Sequence, residues 1–485
     1  MQITLKKMYK YINNIEYAGA DIVAQGVCVD SRKATAGSMF VALPGEKVDG
    51  HSYVGKAIEN GATLILAQID HREDLTQYEN IAHIVYTDNT LLAMGKLAGG
   101  LLREQETTRG LPRKKIAVTG SVGKTTTKEM IACSLAAGGK VHKTQGNQNS
   151  EIGFPLTIFD MPEDTEYAVC EMGMRGLGQV EYLTKIFRPN IGVVTNIGTS
   201  HMELLGSREN ILRAKLEIVK GMENTPESIL LLNGDDDMLS DTTLVNQILS
   251  EYGATDITIK YFGMRQDCNF RYYNVTDHQD GQEFLLDGLT NQTTTVQISI
   301  PGVHNVANAT VAIACARMSE IDAAKAIAAI AEYNNEDSLR QKIHRLGNVT
   351  IIDDTYNASP ESMNAALTVL RNMDADIKVA VLADMLELGS FSRKAHEQVG
   401  QTASFCSDYM IAYGDLAELY TKKYKNTSYH TDELHDAKGL VFSLIDIFMV
   451  EKGNSMAFLI KGSNAMQMNE VAKAAVTYVN NIRGK

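Results

Sequence analysis

The stretch KIAVTGSVGKTTTKEM, residues 115–130, decides how the rest of the sequence is interpreted. A short apolar run leads into a turn with glycines at 120 and 123, and a helical pattern follows that begins with Lys124 and three threonines. Backbone N–H groups in such a turn, aimed by a helix N-terminus, bind phosphate groups without reorganising. The order of strand, glycine-rich turn, lysine and helix therefore predicts a phosphate-binding loop in an α/β domain.

The residue types within this loop suit a nucleoside triphosphate and its metal ion. Lys124 would place a cation on the outer phosphates, and the hydroxyl of Thr125 would face Mg²⁺. Val118 stands where the longer form of the motif has its first glycine, so the sequence carries the shorter form GSVGKT. A glycine-rich turn without a ligand is the alternative. The predicted ATP-binding residues of the loop are Thr119, Gly120, Ser121, Val122, Gly123, Lys124, Thr125 and Thr126.

Composition limits the classes of function. The net charge of -13 argues against general binding to nucleic acid or to a membrane surface, since both need a basic face. None of the six cysteines forms a C-x-x-C pair, which argues against a zinc ribbon and favours a reducing compartment. The sequence has no apolar run of the length that a signal peptide or a membrane span needs. We therefore expect a cytoplasmic protein without stable membrane insertion.

The 485 residues suggest about three domains at ~150 residues each. Short β-branched runs alternate with helical patterns almost throughout, which is typical of α/β folds with parallel sheets. We predict three domains in series: a small N-terminal α/β domain (1–87), a central domain of the phosphate-loop type (88–333) and a C-terminal Rossmann-like α/β domain (334–485). Period-two alternation between residues 257 and 300 predicts an antiparallel patch on the mostly parallel central sheet. The polar run NNEDS, 334–338, is the predicted hinge.

Polar residues that follow predicted strands are the next site candidates. Glu171 ends the strand YAVCE, and His201 follows the strand IGVV, where ligands of open parallel sheets bind. A solvent-exposed role is the alternative for both residues. Lys215 falls inside the apolar arc of a helical pattern that contains Ile211 and Val219. A buried ammonium is costly, so Lys215 must extend to the surface, pair with an acid or lose its charge.

The motifs TGSVGKTTTKEM, EMGM, TNIGTSHMELLGS, PGVHNVANA, DDTYNASP and LADMLELG occur in this order and together resemble the Mur ligases. The resemblance spans nearly the whole chain and is greatest to the family member that joins D-alanyl-D-alanine to UDP-N-acetylmuramoyl-tripeptide. It implies a carboxylate that attacks the γ-phosphate of ATP, followed by an amine that attacks the resulting acyl phosphate. Charge neutralisation and positioning carry a reaction of this type.

The resemblance also implies roles for individual residues. Lys124 would hold the γ-phosphate, and Thr125 and Glu171 would ligate the first of two Mg²⁺ ions. His201 would help to ligate the second ion, together with Lys215 carrying a carbamate formed from CO₂. Such a carbamate would resolve the buried charge of Lys215.

Further residues match the nucleotide and substrate sites of the family. Asn305 and Asn308 match the adenine site, with helix capping as the alternative, and Asp354 matches the acid that binds the ribose. Arg340 matches an arginine that reaches the phosphates, although Leu339 replaces the usual glycine before it. Asp384 and Glu387 could receive the ammonium of an incoming dipeptide, or could lie in a solvated loop. In the stretch DSRKATAGSMFVALPGEKVDGH, the candidates for binding the uridine diphosphate are Ser31, Arg32 and Lys47.

Other functions stay open from the sequence alone. The alternatives are the related ligase that adds a diamino acid to a UDP-muramoyl-dipeptide, a folylpolyglutamate synthase and a regulatory ATPase or GTPase of the phosphate-loop class. The motifs EMGM and DDTYNASP favour the D-alanyl-D-alanine ligase, and no strand ends in the guanine-reading N-K-x-D sequence. We expect a monomer that acts on UDP-N-acetylmuramoyl-tripeptide and D-alanyl-D-alanine, with the third residue of the stem peptide left undetermined.

Overall fold

The computed structural model describes residues 1–45, 48–109, 114–278, 281–334 and 340–483. Lys47 and residues 335–339, which contain most of the predicted hinge, lie outside the described residues. Within these ranges the strands form a short pair and three larger sheets, which follow one another along the chain. No helix of the described ranges has the length and apolar character that a bilayer crossing needs.

The N-terminal region contains a small parallel sheet. Strands β1 (Ile3–Thr4) and β2 (Val23–Ala24) form an antiparallel pair; β3 (Val27–Cys28), β4 (Met39–Val41), β5 (Leu64–Gln68) and β6 (His83–Thr87) form the sheet in that order. The helices are α1 (Leu5–Met8), α2 (Val54–Glu59), α3 (Arg72–Leu75) and α4 (Thr90–Arg109). Apolar residues of β4, β5 and α4 share one core with residues around Phe154, so α4 joins the small sheet to the central one.

The central sheet has nine strands. In chain order they are β7 (Lys114–Thr119), β8 (Val141–Lys143), β9 (Tyr167–Glu171), β10 (Ile191–Val194), β11 (Ile229–Asn233), β12 (Thr258–Gly263), β13 (Phe270–His278), β14 (Gly281–Asp287) and β15 (Thr294–Ile298). Their spatial order is β15-β14-β13-β12-β11-β10-β7-β9-β8. All neighbours run parallel except β13 with β14 and β14 with β15, which confirms the predicted antiparallel patch.

Eight helices accompany the described part of this sheet. They are α5 (Lys124–Ala136), α6 (Gly153–Phe159), α7 (Gln179–Phe187), α8 (Met202–Leu205), α9 (Arg208–Leu216), α10 (Thr242–Glu251), α11 (Val303–Met318) and α12 (Ala323–Ala331). One boundary differs from the sequence pattern. The predicted helix around Lys215 ends at Leu216, and a 3₁₀ turn continues it from Glu217 to Gly221.

The C-terminal sheet has six strands in the spatial order β16-β17-β21-β18-β19-β20. They are β16 (Lys342–Leu346), β17 (Val349–Asp353), β18 (Ile377–Ala383), β19 (Tyr409–Tyr413), β20 (Thr427–Thr431) and β21 (Met456–Lys461), and β16 alone among them runs antiparallel to its neighbour. The helices are α13 (Pro360–Asn372), α14 (Ser392–Ala403), α15 (Glu418–Thr421), α16 (Leu434–Ile445) and α17 (Met468–Arg483). The α/β class and its three larger sheets agree with the fold predicted from the sequence.

Candidate active site

The turn after β7 has a shape that only glycine permits. Gly120 has φ 150°, and a Cβ atom there would lie 1.9 Å from Oγ1 of Thr195. Gly123 has φ 82° and directly precedes α5. Both glycines adopt left-handed backbone conformations that other residues rarely take. The two positions therefore fix the backbone at the N-terminus of α5, where unpaired N–H groups attract anions.

Lys124 lies at the first position of α5 and folds back over the turn. Its ammonium donates hydrogen bonds to the carbonyl oxygens of Gly120 at 2.8 Å and Ser121 at 3.1 Å. Burial lowers the pKa of Lys124 to about 8, although the nearby carboxylate of Glu171 favours the charged form. An anionic ligand at this turn would favour that charged form as well. The side chain is thus placed to meet a phosphate group.

A neighbouring loop holds the turn in shape. Oδ1 of Asn196, which follows β10, accepts hydrogen bonds from the backbone N–H groups of Ser121 at 3.1 Å and Val122 at 2.9 Å. In return the hydroxyl of Ser121 accepts the N–H of Gly198 at 2.9 Å. Sequence reasoning missed Asn196, although its place after a strand end in the quoted TNIG motif was a usable signal.

Glu171 and Thr125 form a cluster of oxygen ligands. The hydroxyl of Thr125 donates to Oε2 of Glu171 at 2.8 Å, and the amide of Asn149 donates to Oε1 at 2.7 Å. The backbone N–H of Glu171 donates to the hydroxyl of Thr144, whose carbonyl accepts from the buried ammonium of Lys128. Carboxylate and hydroxyl oxygens so close together fit the preference of Mg²⁺ for hard ligands.

His201 lies in the loop after β10 in a left-handed conformation, with φ 63°. Its Nδ1 is buried and makes no hydrogen bond, although Oε2 of Glu387 lies 3.3 Å away. Burial lowers the pKa of His201 to about 4, so the ring is neutral at pH 7. A neutral imidazole with an unengaged nitrogen suits a metal ion.

Lys215 is buried on α9, with 2% of its surface exposed, so the ammonium does not extend to solvent. Within the described ranges no hydrogen bond or ion pair reaches its ammonium. Burial lowers the pKa of Lys215 far below its ordinary value, and the charge of Lys124 acts in the same direction. A neutral, nucleophilic amine is the form that reacts with CO₂, so this environment fits the predicted carbamate.

Asn305 and Asn308 are buried on α11. Oδ1 of Asn308 accepts from the hydroxyl of Thr127 at 2.9 Å, and its amide group donates to Asn305. The amide of Asn305 in turn donates to Gln341 of the C-terminal region at 2.9 Å. Since α11 begins at Val303, neither asparagine caps the helix, and the capping alternative is wrong.

The C-terminal region places charged residues opposite the turn. Oδ2 of Asp354 accepts from the ammonium of Lys461 at 2.6 Å, and Oδ1 accepts from the backbone N–H of Gln341. The guanidinium of Arg340 lies 4.1 Å above the ring of Tyr356, a cation–π contact. Lys461 is the last residue of β21 and was not predicted as a site residue from the sequence. Its position at the end of a strand was the available signal.

Asp384 and Glu387, the two acids after β18, have different surroundings. Asp384 is buried and accepts the backbone N–H of Ala417 at 2.7 Å, so it holds the fold of its own domain. Glu387 has φ 63°, lies opposite His201 and keeps an exposed side chain. Of the two, only Glu387 lines the cavity between the sheets.

One cavity of about 720 Å³ combines these groups. Loops at the carboxyl ends of strands of both the central and the C-terminal sheets form its walls. Of the predicted residues, it is lined by Ser121, Val122, Gly123, Lys124, Thr126, His201, Asn308, Arg340, Asp354 and Glu387. Thr125 and Glu171 are bonded to each other, Glu171 is close enough to Lys124 to affect its charge, and Lys215 is close enough to His201 to do the same.

Two of the predicted uridine-nucleotide residues, Ser31 and Arg32, do not line this cavity, and the third, Lys47, lies outside the described residues. Ser31 is buried, and its carbonyl accepts the amide of Asn60 at 2.9 Å. The side chain of Arg32 is 87% exposed, and its guanidinium donates a bidentate pair of hydrogen bonds to the carboxylate of Asp30. The structure therefore does not bring these residues together with the phosphate-binding turn.

Asp49, His51 and His71 form a close group of potential metal ligands in the same region. Nε2 of His51 accepts the backbone N–H of Gln68 at 2.9 Å, so Nδ1 carries the proton of the neutral ring. That proton is donated to Asp49 at 2.6 Å. A hydrogen-bonded, stacked histidine pair accounts for this group without a metal ion.

Comparisons with known proteins agree with this geometry. Three family models match in chain order: "Mur ligase family, catalytic domain" over residues 23–99, "Mur ligase middle domain" over 118–316 and "Mur ligase, glutamate ligase domain" over 340–463. The chain is 36% identical to UDP-N-acetylmuramoyl-tripeptide--D-alanyl-D-alanine ligase of Bacillus subtilis, over 93% of both chains.

Solved structures give the same result. A crystal structure of MurF from Acinetobacter baumannii matches with a TM-score of 0.86 and 27% identity, over 98% of this chain and 99% of that one. MurF ligase of Thermotoga maritima, solved in complex with ADP, matches with a TM-score of 0.78 and 25% identity, over 95% and 99%. Because sequence identity, three family models and the whole fold coincide along nearly the entire length, the chain belongs to the Mur ligase family.

Proposed function

We propose that the protein is the ATP-dependent ligase that joins D-alanyl-D-alanine to UDP-N-acetylmuramoyl-tripeptide in peptidoglycan precursor synthesis. The printed activity of the Bacillus subtilis relative supports this substrate pair. The observation that carries the proposal is the single cavity that unites the phosphate-binding turn, His201 and the third-domain residues Asp354 and Glu387. A ligase needs a nucleotide, an activated acid and an amine within one enclosed volume.

The reaction proceeds in two steps. The carboxylate of the tripeptide attacks the γ-phosphorus of ATP, ADP leaves, and an acyl phosphate forms. The amine of the dipeptide then attacks the acyl carbon, inorganic phosphate leaves, and the nitrogen loses its proton to complete the amide. Lys124 stabilises the charge on the transferring phosphoryl group, and the surrounding walls exclude water that would hydrolyse the intermediate.

Two Mg²⁺ ions would neutralise phosphate charge in this site. Thr125 and Glu171 would hold one of them, since their oxygens lie 2.8 Å apart. His201 and Lys215, as its carbamate, would hold the other. Among the described residues, Nδ1 of His201 has no hydrogen-bond partner, and burial lowers the pKa of Lys215 far below its ordinary value; both observations support this assignment.

The nucleotide would extend from the turn towards the C-terminal sheet. Asn305 and Asn308 would bind adenine by exchanging their mutual hydrogen bond for bonds to the base. Asp354 would accept the ribose hydroxyl groups, and Arg340 would reach the phosphates. Since the nucleotide would touch two domains, we expect closure on binding. Small-angle scattering with a non-hydrolysable nucleotide and the UDP-substrate should show a smaller radius of gyration, and an unchanged radius would contradict closure.

The UDP moiety would bind the N-terminal domain, 1–87, while 88–333 would bind ATP and 334–485 the dipeptide. Arg32 would exchange Asp30 for the diphosphate, which its planar guanidinium matches well. Ser31 and Lys47 would complete the site. We propose a monomer as the active form.

A phosphate-release assay across a panel of UDP-muramoyl peptides, amino acids and dipeptides tests the proposal. We expect turnover with a UDP-muramoyl-tripeptide and D-alanyl-D-alanine together, and little ATP hydrolysis with either alone. Preference for a UDP-muramoyl-dipeptide with a diamino acid would identify the related ligase instead. ATP turnover that responds to neither substrate would indicate a regulatory ATPase.

A further inference from the structure

Glu361, the second residue of α13, reaches across the cavity to the loop that carries His201. Its Oε1 accepts hydrogen bonds from the backbone N–H of Thr199 at 2.8 Å and from the hydroxyl of the same residue at 2.9 Å. A Cβ atom on Gly198 would lie 2.7 Å from this oxygen, so the absence of a side chain there admits the carboxylate. The loop is thus shaped to receive Glu361 from the other domain.

The second oxygen of Glu361 has no such partner. Oε2 is shielded from solvent and makes no hydrogen bond with any described residue. A shielded, unpaired carboxylate oxygen is costly, because it has given up water without a replacement. Arg208 lies close enough to sense the charge, but its guanidinium is bonded to Asp237 and to the carbonyl of Ile197.

Glu361 lines the cavity, so a bound substrate can supply the missing partner. A carboxylate accepts hydrogen bonds and favours cations, which excludes the phosphates of ATP and of the UDP-substrate. The magnesium ligands proposed above come from the central domain alone. Two cationic donors remain among the reactants of the proposed ligation: the ammonium group of the incoming dipeptide and the side-chain ammonium of a diamino acid at the end of the tripeptide. Of the two, the amino group of the dipeptide must lie at the acyl phosphate, beside the His201 loop that Glu361 contacts.

We propose that Oε2 of Glu361 binds the amino group of the incoming dipeptide, while Oε1 holds the His201 loop. This inference rests on the proposed function and deepens it. Thr199 is two residues from His201. The carboxylate of Glu361 would therefore contact both the amino group of the dipeptide and the loop that lies beside the acyl phosphate. Glu361 is then the residue that selects a free amine at the end of the dipeptide.

The test is the variant Glu361→Gln. Its side-chain oxygen can still accept both hydrogen bonds from Thr199, but an amide nitrogen replaces Oε2 and repels an ammonium group. We expect the KM for D-alanyl-D-alanine to rise on the order of 10- to 100-fold, the loss of one charge-assisted hydrogen bond. The KM values for ATP and the UDP-tripeptide, and the dependence on Mg²⁺, should stay as in the wild type.

Hydroxylamine supplies the second readout, because this small neutral nucleophile intercepts acyl phosphates without needing an ammonium site. Glu361→Gln should form hydroxamate from ATP and UDP-tripeptide at the wild-type rate, which also shows that it is folded. The matched control is Glu470→Gln, a change at an exposed carboxylate of α17 that should leave all parameters unchanged.

The outcomes separate the two proposals. A wild type that forms neither amide nor hydroxamate would refute the proposed function itself. A wild type that ligates, with a Glu361→Gln variant whose dipeptide KM is unchanged, would overturn the role of Glu361 alone. Loss of both the amide and the hydroxamate reaction, or a shift confined to Mg²⁺ dependence, would also overturn it, since Glu361 would then serve the His201 loop or a metal ion.

Discussion

The two walls of the cavity are built in different ways. On the central wall, backbone geometry and buried residues determine the site: Gly120 and Gly123 fix the turn, and Lys124 is anchored on two carbonyl oxygens. On the C-terminal wall, side chains determine it, and Glu387 is more than half exposed while Glu361 has one unpaired oxygen. The comparison teaches that the pre-organised wall suits the proposed phosphate chemistry, whereas the wall with unpaired and exposed carboxylates suits the proposed recognition of the nucleophile.

The largest effect should follow from Lys124→Ala, which breaks the central wall. The substitution removes the cation from the phosphates, so we expect ligation to fall by at least about 1,000-fold, the scale seen when a charge that stabilises phosphoryl transfer is lost. Binding of the UDP-substrate, measured by calorimetry, should stay intact because its proposed site lies in another domain.

Lys140→Ala is the matched control for this variant, since the Lys140 side chain is largely exposed and lies away from the turn. It should ligate at the wild-type rate. Normal phosphate release by Lys124→Ala would remove the phosphate-binding role from the turn, and with it the contrast between the walls.

Lys215→Ala tests the proposed carbamate on the central wall. Without the carbamate the second metal ion loses a ligand, so we expect activity to fall on the order of 100- to 1,000-fold. Added short-chain carboxylic acids should restore part of the rate by occupying the vacated volume. Thermal stability should fall as well, because truncating this buried side chain leaves a cavity, so the rescue by carboxylic acids is the readout that identifies the carbamate.

Lys220→Ala is the control, at a half-buried lysine in the next turn that pairs with Glu181. A fully active Lys215→Ala would disprove the carbamate. A strong loss without any rescue by carboxylic acids would keep Lys215 in the site but contradict the anionic form.

The central wall is also the part that the sequence predicts best. Gly120, Gly123 and Lys124 act through local backbone geometry, so sixteen consecutive residues specify the strand, turn and helix. Burial of Lys215 followed from helical periodicity, which needs only the residues of one element. Such features depend only on residues that are adjacent in the sequence, so they can be predicted without knowing how distant segments pack.

The C-terminal wall was harder to predict because its contacts join distant residues. Thr199 and Glu361 are 162 positions apart, and Asp354 and Lys461 are 107 apart. Nothing local in the sequence distinguishes Glu387, which lines the cavity, from Asp384, which accepts a hydrogen bond from the backbone N–H of Ala417. Only the packing of two sheets against each other decides which carboxylate remains available.

A moderate effect is expected from Asp354→Asn on the C-terminal wall. The single amide oxygen can still accept from Lys461, but the amide nitrogen then faces the N–H of Gln341 and cannot accept from it or from a ribose hydroxyl. The KM for ATP should therefore rise about 10-fold, with kcat nearly unchanged. The exposed Asp374→Asn is the control and should be neutral. Steady-state kinetics decide the matter: a lower kcat with an unchanged KM would move Asp354 from nucleotide binding to the chemical step.

The smallest effect, from Thr199→Val, sharpens the comparison at the point where the walls meet. The variant loses the hydroxyl donor to Glu361 but keeps the backbone N–H donor, so one of two hydrogen bonds to the carboxylate remains. We expect kcat/KM for the dipeptide to fall about 3- to 10-fold, less than the full value of a hydrogen bond to a charged group, because Thr199 only positions Glu361 and its backbone N–H donor remains. Thr199→Ser restores the hydroxyl and should recover the rate, whereas the exposed Thr255→Val should have no effect. If Thr199→Val instead reduces hydroxamate formation as much as dipeptide ligation, the contact serves the His201 loop and the phosphoryl step. The proposed separation of phosphate chemistry on one wall from nucleophile recognition on the other would then not hold at Thr199 and Glu361.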